Sequence, residues 1–309
     1  MNRATPPLRA AAFSALLFVL SITGACASPP VSNLNGTKPY SINSGGRTRT
    51  FLVHAPPGYD GRKPMPLVVS FHGAWGTGAK QEEITGWSKL ADQNGFLVAY
   101  PDGTSRAWNA GDQCCDPPRK QGVNDVGFAR DMLGFIKKTY KVDNARVYGN
   151  GFSNGAMLIH YIACTEPELF TAVAVNAGAL MTSTCQPKRP LPFLIIQGKK
   201  DPRMPWDGGT YDGTYRLPVV DLVKRIATRN RCASTNATVS YSGGPAECRT
   251  VTGCGANEVT YCGVEGVGHQ WIGGLTILPM LLGGNTDKFN ASFAMWRFFQ
   301  RHPGGQGGG

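Results

Sequence analysis

Charge is scarce in this chain: only 17% of its 309 residues are Asp, Glu, Lys or Arg, and acids are the rarer sign, 20 against 31. The basic excess is dispersed in short pairs such as Lys137-Lys138 and Lys199-Lys200. That spacing lacks the clustered stripe of a nucleic-acid-binding face, so no nucleic-acid partner is expected. The net charge of +11 bears on solubility and on attraction to anionic polymers. No Cys-x-x-Cys pair occurs and the histidines sit apart from the cysteines, which disfavours a zinc site. There is no internal repeat and no phosphate-cradling glycine loop. No metal and no cofactor are expected.

Long apolar runs are also missing. The longest, Ala11 to Ile22, is too short for a stable membrane span. It follows Arg3 and Arg9 and precedes Ala25-Cys26-Ala27, the small-x-small pattern of an export signal cleaved after Ala27. Residues 1–27 are therefore read as a signal peptide on a secreted protein. A lipid anchor through Cys26 is the competing reading, weakened by Thr23 where a lipoprotein signal carries a larger aliphatic residue. Eight other cysteines lie in the exported part, an even number that argues for disulfides in an oxidising compartment. Cys114 and Cys115 are adjacent and are expected to pair separately with Cys164 and Cys185. A hairpin around Gly253-Cys254-Gly255 would set Cys248 across from Cys262 and leave Cys254 for Cys232. Asn35, Asn236 and Asn290 open glycosylation sequons, which matter only in a glycosylating host.

Alternating strand and helix patterns between residues 48 and 302 favour a mostly parallel sheet with helices on both faces, folded as a single α/β domain. Residues 28–44 read as an N-terminal extension, 45–303 as the catalytic domain and 304–309 as a flexible glycine-rich tail. A monomer is expected.

Glycine is plentiful, 40 residues, so Gly151-Phe152-Ser153-Asn154-Gly155 is weak evidence by itself. Its surroundings strengthen it. Ala145–Tyr148 is a β-branched and aromatic run, and Ala156–Ala163 is free of Gly and Pro. A strand passing through a glycine-flanked serine into a helix is a nucleophile elbow. It sets the serine at a helix N-terminus, where the Asn154 N–H faces a developing oxyanion. An acid and a histidine should follow, each after a strand. Phe193–Gln197 is such a strand and leads to Asp201, with Asp207 and Asp212 as weaker candidates further along the loop. Val259–Val264 is another, and His269 lies in the glycine-rich loop beyond it. Ser153, Asp201 and His269 are thus the expected nucleophile, orienting acid and general base. The second oxyanion donor is expected from the backbone at Ala74, just after the strand Leu67–Phe71. His72 beside it reads as a hydrogen-bonding or structural neighbour rather than a second base. His72, Trp75, Trp206 and Trp271 are expected to contact substrate, since aromatic walls suit a planar acid or a sugar face.

The chain resembles the secreted feruloyl esterases and polyhydroxybutyrate depolymerase-like carbohydrate esterases of the α/β-hydrolase superfamily. The resemblance runs through Arg49–Tyr59, His72-Gly73, Tyr100-Pro101-Asp102-Gly103 and Trp108-Asn109-Ala110-Gly111 with Cys114-Cys115. It continues through Asn124–Phe128, the serine elbow, Asp201-Pro202 and Gly268-His269-Gln270-Trp271. Two departures stand out: Gly155-Ala156 where the family often has Gly-Gly, and Trp271-Ile272-Gly273 where it commonly has Trp-Pro-Gly. The resemblance implies an α/β-hydrolase fold and a serine esterase whose substrate is polysaccharide-linked or polymeric. Hydroxycinnamoyl esters of plant cell-wall polysaccharide come first. Hydroxyalkanoate polyesters come second and acetylated xylan third. A non-catalytic envelope binding protein and a peptidase are the readings from other classes.

Overall fold

The computed structural model describes residues 1–2 and 36–304. The signal peptide expected at 1–27, residues 28–35 and the tail from 305 lie outside the described residues, apart from residues 1–2. The chain divides into Met1–Ser32 and Asn33–Gly309, and the second unit carries the fold. Its main sheet has ten strands in the order β1-β2-β4-β3-β5-β6-β7-β12-β11-β10.

Six of these run parallel and form the centre: β4 (Leu97–Pro101), β3 (Met65–Phe71), β5 (Val142–Phe152), β6 (Ala172–Asn176), β7 (Phe193–Gly198) and β12 (Val259–Val264). Antiparallel pairs close both edges, β1 (Thr37–Ser44) with β2 (Arg47–His54), and β10 (Ala237–Gly243) with β11 (Ala246–Val251). Most residues of the central strands are buried and apolar because both of their faces are covered. Their alternation shows where each residue goes: Phe193 and Ile195 enter one core, Leu194 and Ile196 the other.

The first core lies under α3 (Asp125–Thr139), α4 (Asn154–Thr165) and α5 (Val219–Arg229), which contribute Phe128, Met132, Leu158 and Ile226. The second lies under α1 (Gly78–Thr85), α2 (Trp87–Asn94) and α7 (Ala291–Gln300). It is strongly aromatic. Tyr148 stacks on Phe299 at 4.7 Å and Phe96 on Trp296 at 4.0 Å.

Two expectations are revised. Part of the segment read as an N-terminal extension, 28–44, belongs to the sheet. β1 pairs along its full length with β2, from Thr37 opposite His54 to Ser44 opposite Arg47. The tight turn between them takes Gly45 and Gly46 at φ 58° and 73°, the left-handed conformation that two-residue hairpins need. β1 was inconspicuous because only Tyr40 and Ile42 of this edge strand reach the core.

The second revision concerns disulfides. Cys232–Cys254 and Cys248–Cys262 pair as expected, but Cys164 bridges Cys185 and Cys114 bridges its neighbour Cys115. The reason is reach. Cys114 Sγ lies 3.3 Å from Met157 Sδ, near the start of α4, whereas Cys164 is in its last turn. The seven helical steps from Met157 to Cys164 span roughly 10 Å, beyond the Cα separation a disulfide tolerates. On tryptic mapping without reduction, Ala107–Arg119 should therefore appear as a single peptide lacking two hydrogens. Recovery of that peptide joined to one containing Cys164 or Cys185 would overturn this pairing.

His160, on α4, is fully buried and stacks on Phe193 at 4.8 Å. Neither ring nitrogen has a hydrogen-bond partner. Burial, with the Arg229 charge adding to it, lowers its pKa from 6.5 to about 3. The unfolded ring takes up a proton near pH 6.5 that the folded ring refuses, so folded-state stability falls as pH drops from 6.5 toward 3. His160→Phe should remove about 2 kcal/mol of the stability difference between pH 7 and pH 5, read from urea denaturation. An unchanged pH slope would rule this out.

Candidate active site

The serine loop sits at the end of the central strand β5. Ser153 adopts φ 52°, ψ −116°, a region costly for a residue with a Cβ. The turn is held on both sides. The Ser153 N–H donates to the Asn176 carbonyl at 3.1 Å, and its own carbonyl accepts from the Met157 N–H at 2.9 Å. The flanking glycines are required by contact. A Cβ on Gly151 would lie 2.4 Å from the Gly155 carbonyl, and one on Gly155 would lie 2.3 Å from the Phe71 carbonyl oxygen. α4 therefore packs backbone-to-backbone on the end of β3.

Strand ends further along the same side of the sheet supply the other groups. Asp201 follows β7, and His269 follows β12. His269 Nε2 is 2.9 Å from Ser153 Oγ, and Nδ1 is 2.8 Å from Asp201 Oδ2. An ionised carboxylate only accepts, so Nδ1 carries the proton and Nε2 is left to accept from the serine hydroxyl. Asp201 Oδ1 accepts from the N–H groups of Arg203 and Met204, both at 2.8 Å. Asp201 and His269 are buried. Asp207 and Asp212, the weaker acid candidates, are exposed and make no bond to His269.

The histidine loop is fastened from beneath. Asn176, at the end of β6, donates to the Gln270 carbonyl at 2.8 Å and accepts from the Ile272 N–H. The buried Gln270 side chain binds Ile277 and Gly283, which bracket the short helix α6 (Pro279–Leu282). Neither Asn176 nor Gln270 was singled out from sequence.

The segment after β3 comes up beside the serine. A Cβ on Gly73 would be 3.3 Å from Ser153 Cβ. The N–H groups of Ala74 and Asn154 donate to no acceptor among the described residues. His72 is buried, donates from Nδ1 to the Gly73 carbonyl at 2.7 Å and accepts the Gly103 N–H on Nε2 at 3.0 Å. Burial lowers its pKa to about 4 despite the hydrogen bond to Gly73. With both nitrogens occupied it ties two loops together. Trp108 packs on it at 4.8 Å and donates to its carbonyl. The Asn154 side chain pairs with the backbone of Trp108 in both directions, fixing the elbow to that loop.

Two cavities open on Ser153. The larger, about 720 Å³, is lined by His269, Phe152, Ile277, Leu278, Leu281 and Leu282. The smaller, about 530 Å³, is lined by Asn154, Met157, Cys114, Cys115 and several arginines. Trp75 borders both and is 74% exposed. The other two tryptophans expected at the substrate line neither cavity. Trp271 is fully buried, donates to Ser292 Oγ and backs Phe152. Trp206 packs on Tyr261, next to β12. Sequence proximity to a catalytic loop does not say which side of it a ring occupies. Among the described residues no cluster of His, Cys, Asp or Glu is placed to hold a metal.

Residues 50–192 match the family described as esterase PHB depolymerase. The putative esterase NocK of Nocardia uniformis subsp. tsuyamanensis is 36% identical over 169 residues, which is 53% of this chain and 48% of NocK. The chain thus spans about half the length of that relative. Feruloyl esterase C of Emericella nidulans is 26% identical over 81% of this chain and 83% of its own length. An acetyl xylan esterase from Aspergillus awamori shares the fold with a TM-score of 0.59 at 17% identity, covering 85% of this chain and 99% of that one. Residues 50–192 thus carry the similarity to the esterase PHB depolymerase family, the feruloyl esterase is similar along most of the chain, and the acetyl xylan esterase has the same fold.

The glycine contacts yield a paired test. Gly155→Ala should lower stability by about 1–3 kcal/mol, the cost of overpacking, because only backbone surrounds the new methyl group. Gly134→Ala, in α3 with nothing within 4 Å of its Cβ position, should instead gain about 0.4–1 kcal/mol. Wild-type stability in the Gly155 variant would show that α4 and β3 are not locked as described.

Proposed function

We propose that this protein is a secreted serine esterase that hydrolyses hydroxycinnamoyl esters of plant cell-wall polysaccharide through an acyl-enzyme on Ser153. The observation that carries the reading is the bridge made by His269 between Ser153 Oγ at 2.9 Å and Asp201 at 2.8 Å. The naming of the Emericella nidulans relative as a feruloyl esterase supports the substrate class. The four disulfides support an extracellular setting.

In the proposed reaction His269, its ring oriented by Asp201, takes the Ser153 proton as the oxygen attacks the ester carbonyl. The N–H groups of Ala74 and Asn154 bind the oxyanion. The alkoxide leaves with the proton held on His269 Nε2. Water then attacks the acyl-enzyme by the same route in reverse, releasing the acid and restoring Ser153.

A second reading, hydrolysis of a hydroxyalkanoate polyester, is favoured by one feature. Leu278, Met280 and Leu281 are exposed at 66, 100 and 61%, and Leu278 and Leu281 also line the larger cavity. An apolar rim of this kind suits a solid polyester surface.

Hydrolysis of methyl ferulate, a 3-hydroxybutyrate oligomer and p-nitrophenyl acetate separates the readings. The expected result is preference for methyl ferulate. Activity on the acetate alone would reject both polymer assignments. Ser153→Ala should lower kcat by at least about 10⁴-fold and abolish labelling by a fluorophosphonate; wild-type activity in that variant would reject the mechanism.

A further inference from the structure

The smaller cavity is built for charge, and its charge is unbalanced. Arg106, Arg119, Arg203 and Arg216 line it together with Ser153. Only Arg119 has a carboxylate partner among the described residues, Asp116 at 3.1 Å, and that same carboxylate is shared with Lys120. Arg106 is engaged with the carbonyls of Trp75 and Gly76. Arg203 has only the ring of Tyr211, 5.7 Å away.

Arg216 is the most demanding of the four. It ends the two-stranded hairpin formed by β8 (Gly209–Tyr211) and β9 (Thr214–Arg216), and it is only 7% exposed. One of its nitrogens donates to the Thr214 carbonyl at 3.0 Å. Its Nε–H is buried with no acceptor among the described residues. A guanidinium with a buried, unused donor and no counter-ion among those residues is costly unless an anion arrives. Asp212, at the exposed tip of the same hairpin, also borders the cavity but makes no ion pair with Arg216. Burial pulls the Arg216 pKa down, opposed by the Asp212 and Tyr211 charges.

The two cavities also differ in which half of an ester they can take. His269 must hand its proton to the departing alcohol, and it lines the larger cavity but not the smaller one. Arg106 and Arg203 border both cavities, whereas Arg119 and Arg216 line only the smaller, so the acyl group lies on the side of Arg216. Resting on the serine-esterase reading, we infer that the smaller cavity is an acyl subsite that admits, beside hydroxycinnamoyl groups, a second class of acids bearing an additional anionic group, a carboxylate held by Arg216 and Arg203. The reaction remains ester hydrolysis, with a half-ester of a dicarboxylic acid as substrate and the free dicarboxylate as product. A bidentate carboxylate is the geometric match for a guanidinium fork.

The test compares mono-p-nitrophenyl adipate with p-nitrophenyl hexanoate, acyl chains of equal length that differ in a terminal carboxylate. The wild-type enzyme should favour the adipate in kcat/KM, and the preference should weaken with added salt. Arg216→Gln should cut the adipate-to-hexanoate ratio at least about 10-fold, chiefly through KM, and Arg203→Gln should cut it less. Taking a ratio within each variant removes any general loss of folded enzyme. A ratio that is the same in wild type and both variants would overturn the inference. So would a preference seen only when the carboxylate is moved to the alcohol half, as in 4-carboxyphenyl hexanoate. Adipate binding to Ser153→Ala by calorimetry is a readout that needs no turnover; binding should be lost when Arg216→Gln is added. If neither ester is hydrolysed but adipate still binds in an Arg216-dependent way, the esterase reading fails and the anion subsite stands. Absence of adipate binding overturns the subsite.

Discussion

The backbone contact between the start of α4 and the end of β3 is the constraint from which the site follows. Gly155 lies so close to the Phe71 carbonyl that no Cβ fits between them. That closeness is what bends the chain at Ser153 into a positive φ and lifts its hydroxyl clear of the sheet. A serine in an ordinary β or helical conformation would point into one of the two cores. Here the strain is offset by hydrogen bonds on both sides of the residue, to Asn176 and from Met157, and by the apolar burial of α4. The same approach brings the segment after β3 alongside the serine, so one close contact sets two parts of the site at once.

The remaining groups depend on strand order. β5 is flanked by β3 and β6, and β7 and β12 follow on the same side. All five are parallel neighbours, so their C-terminal ends share one edge, and loops from each meet there. Side chains then fix the loops relative to one another. Asn176 links the elbow to the histidine loop, Gln270 holds α6 over the larger cavity, and His72 joins the loops after β3 and β4. Each of these groups is buried, with its polar atoms spent on backbone partners. Such bonds are expensive to break because the freed group has no water to turn to.

This division explains what was legible in the sequence. Four of the central strands (β3, β5, β7 and β12), α4 and the hairpin of β11 and β12 were readable because their signal is local: apolar runs of strand length, or a helix start fixed by a strained glycine turn. Ser153, Asp201 and His269 were readable as candidates because chain order and strand context constrain them together. The misreadings concern direction and distance, which no local pattern encodes. Trp206 and Trp271 stand next to the loops in sequence but turn away from the cavities in space. Cys114 and Cys115 were assigned distant partners because adjacency argued against a bridge between them, while the length of α4 was not weighed. β1 went unnoticed since an edge strand with one lightly buried face has little apolar signal. Arg216 was invisible for a related reason, as its burial comes from a hairpin inserted between β7 and α5.

That hairpin separates chemistry from selection. The serine, histidine and aspartate stand on the ends of rigid parallel strands, where a displacement of even 1 Å would be resisted by the whole sheet. Arg216 is instead carried by β9 of the two-stranded β8–β9 ribbon, outside the main sheet. Small hairpins have little stability of their own, so this one is held by what it packs against, and its sequence is free to vary without moving the hydrogen-bonded chain from Ser153 to Asp201. The apolar side is carried by a different unit, the segment around α6 fastened by Gln270. On the proposed reading, the two halves of an ester meet surfaces that can change independently of each other and of Ser153 and His269, and the substrate is set by which side chains the ribbon and α6 present.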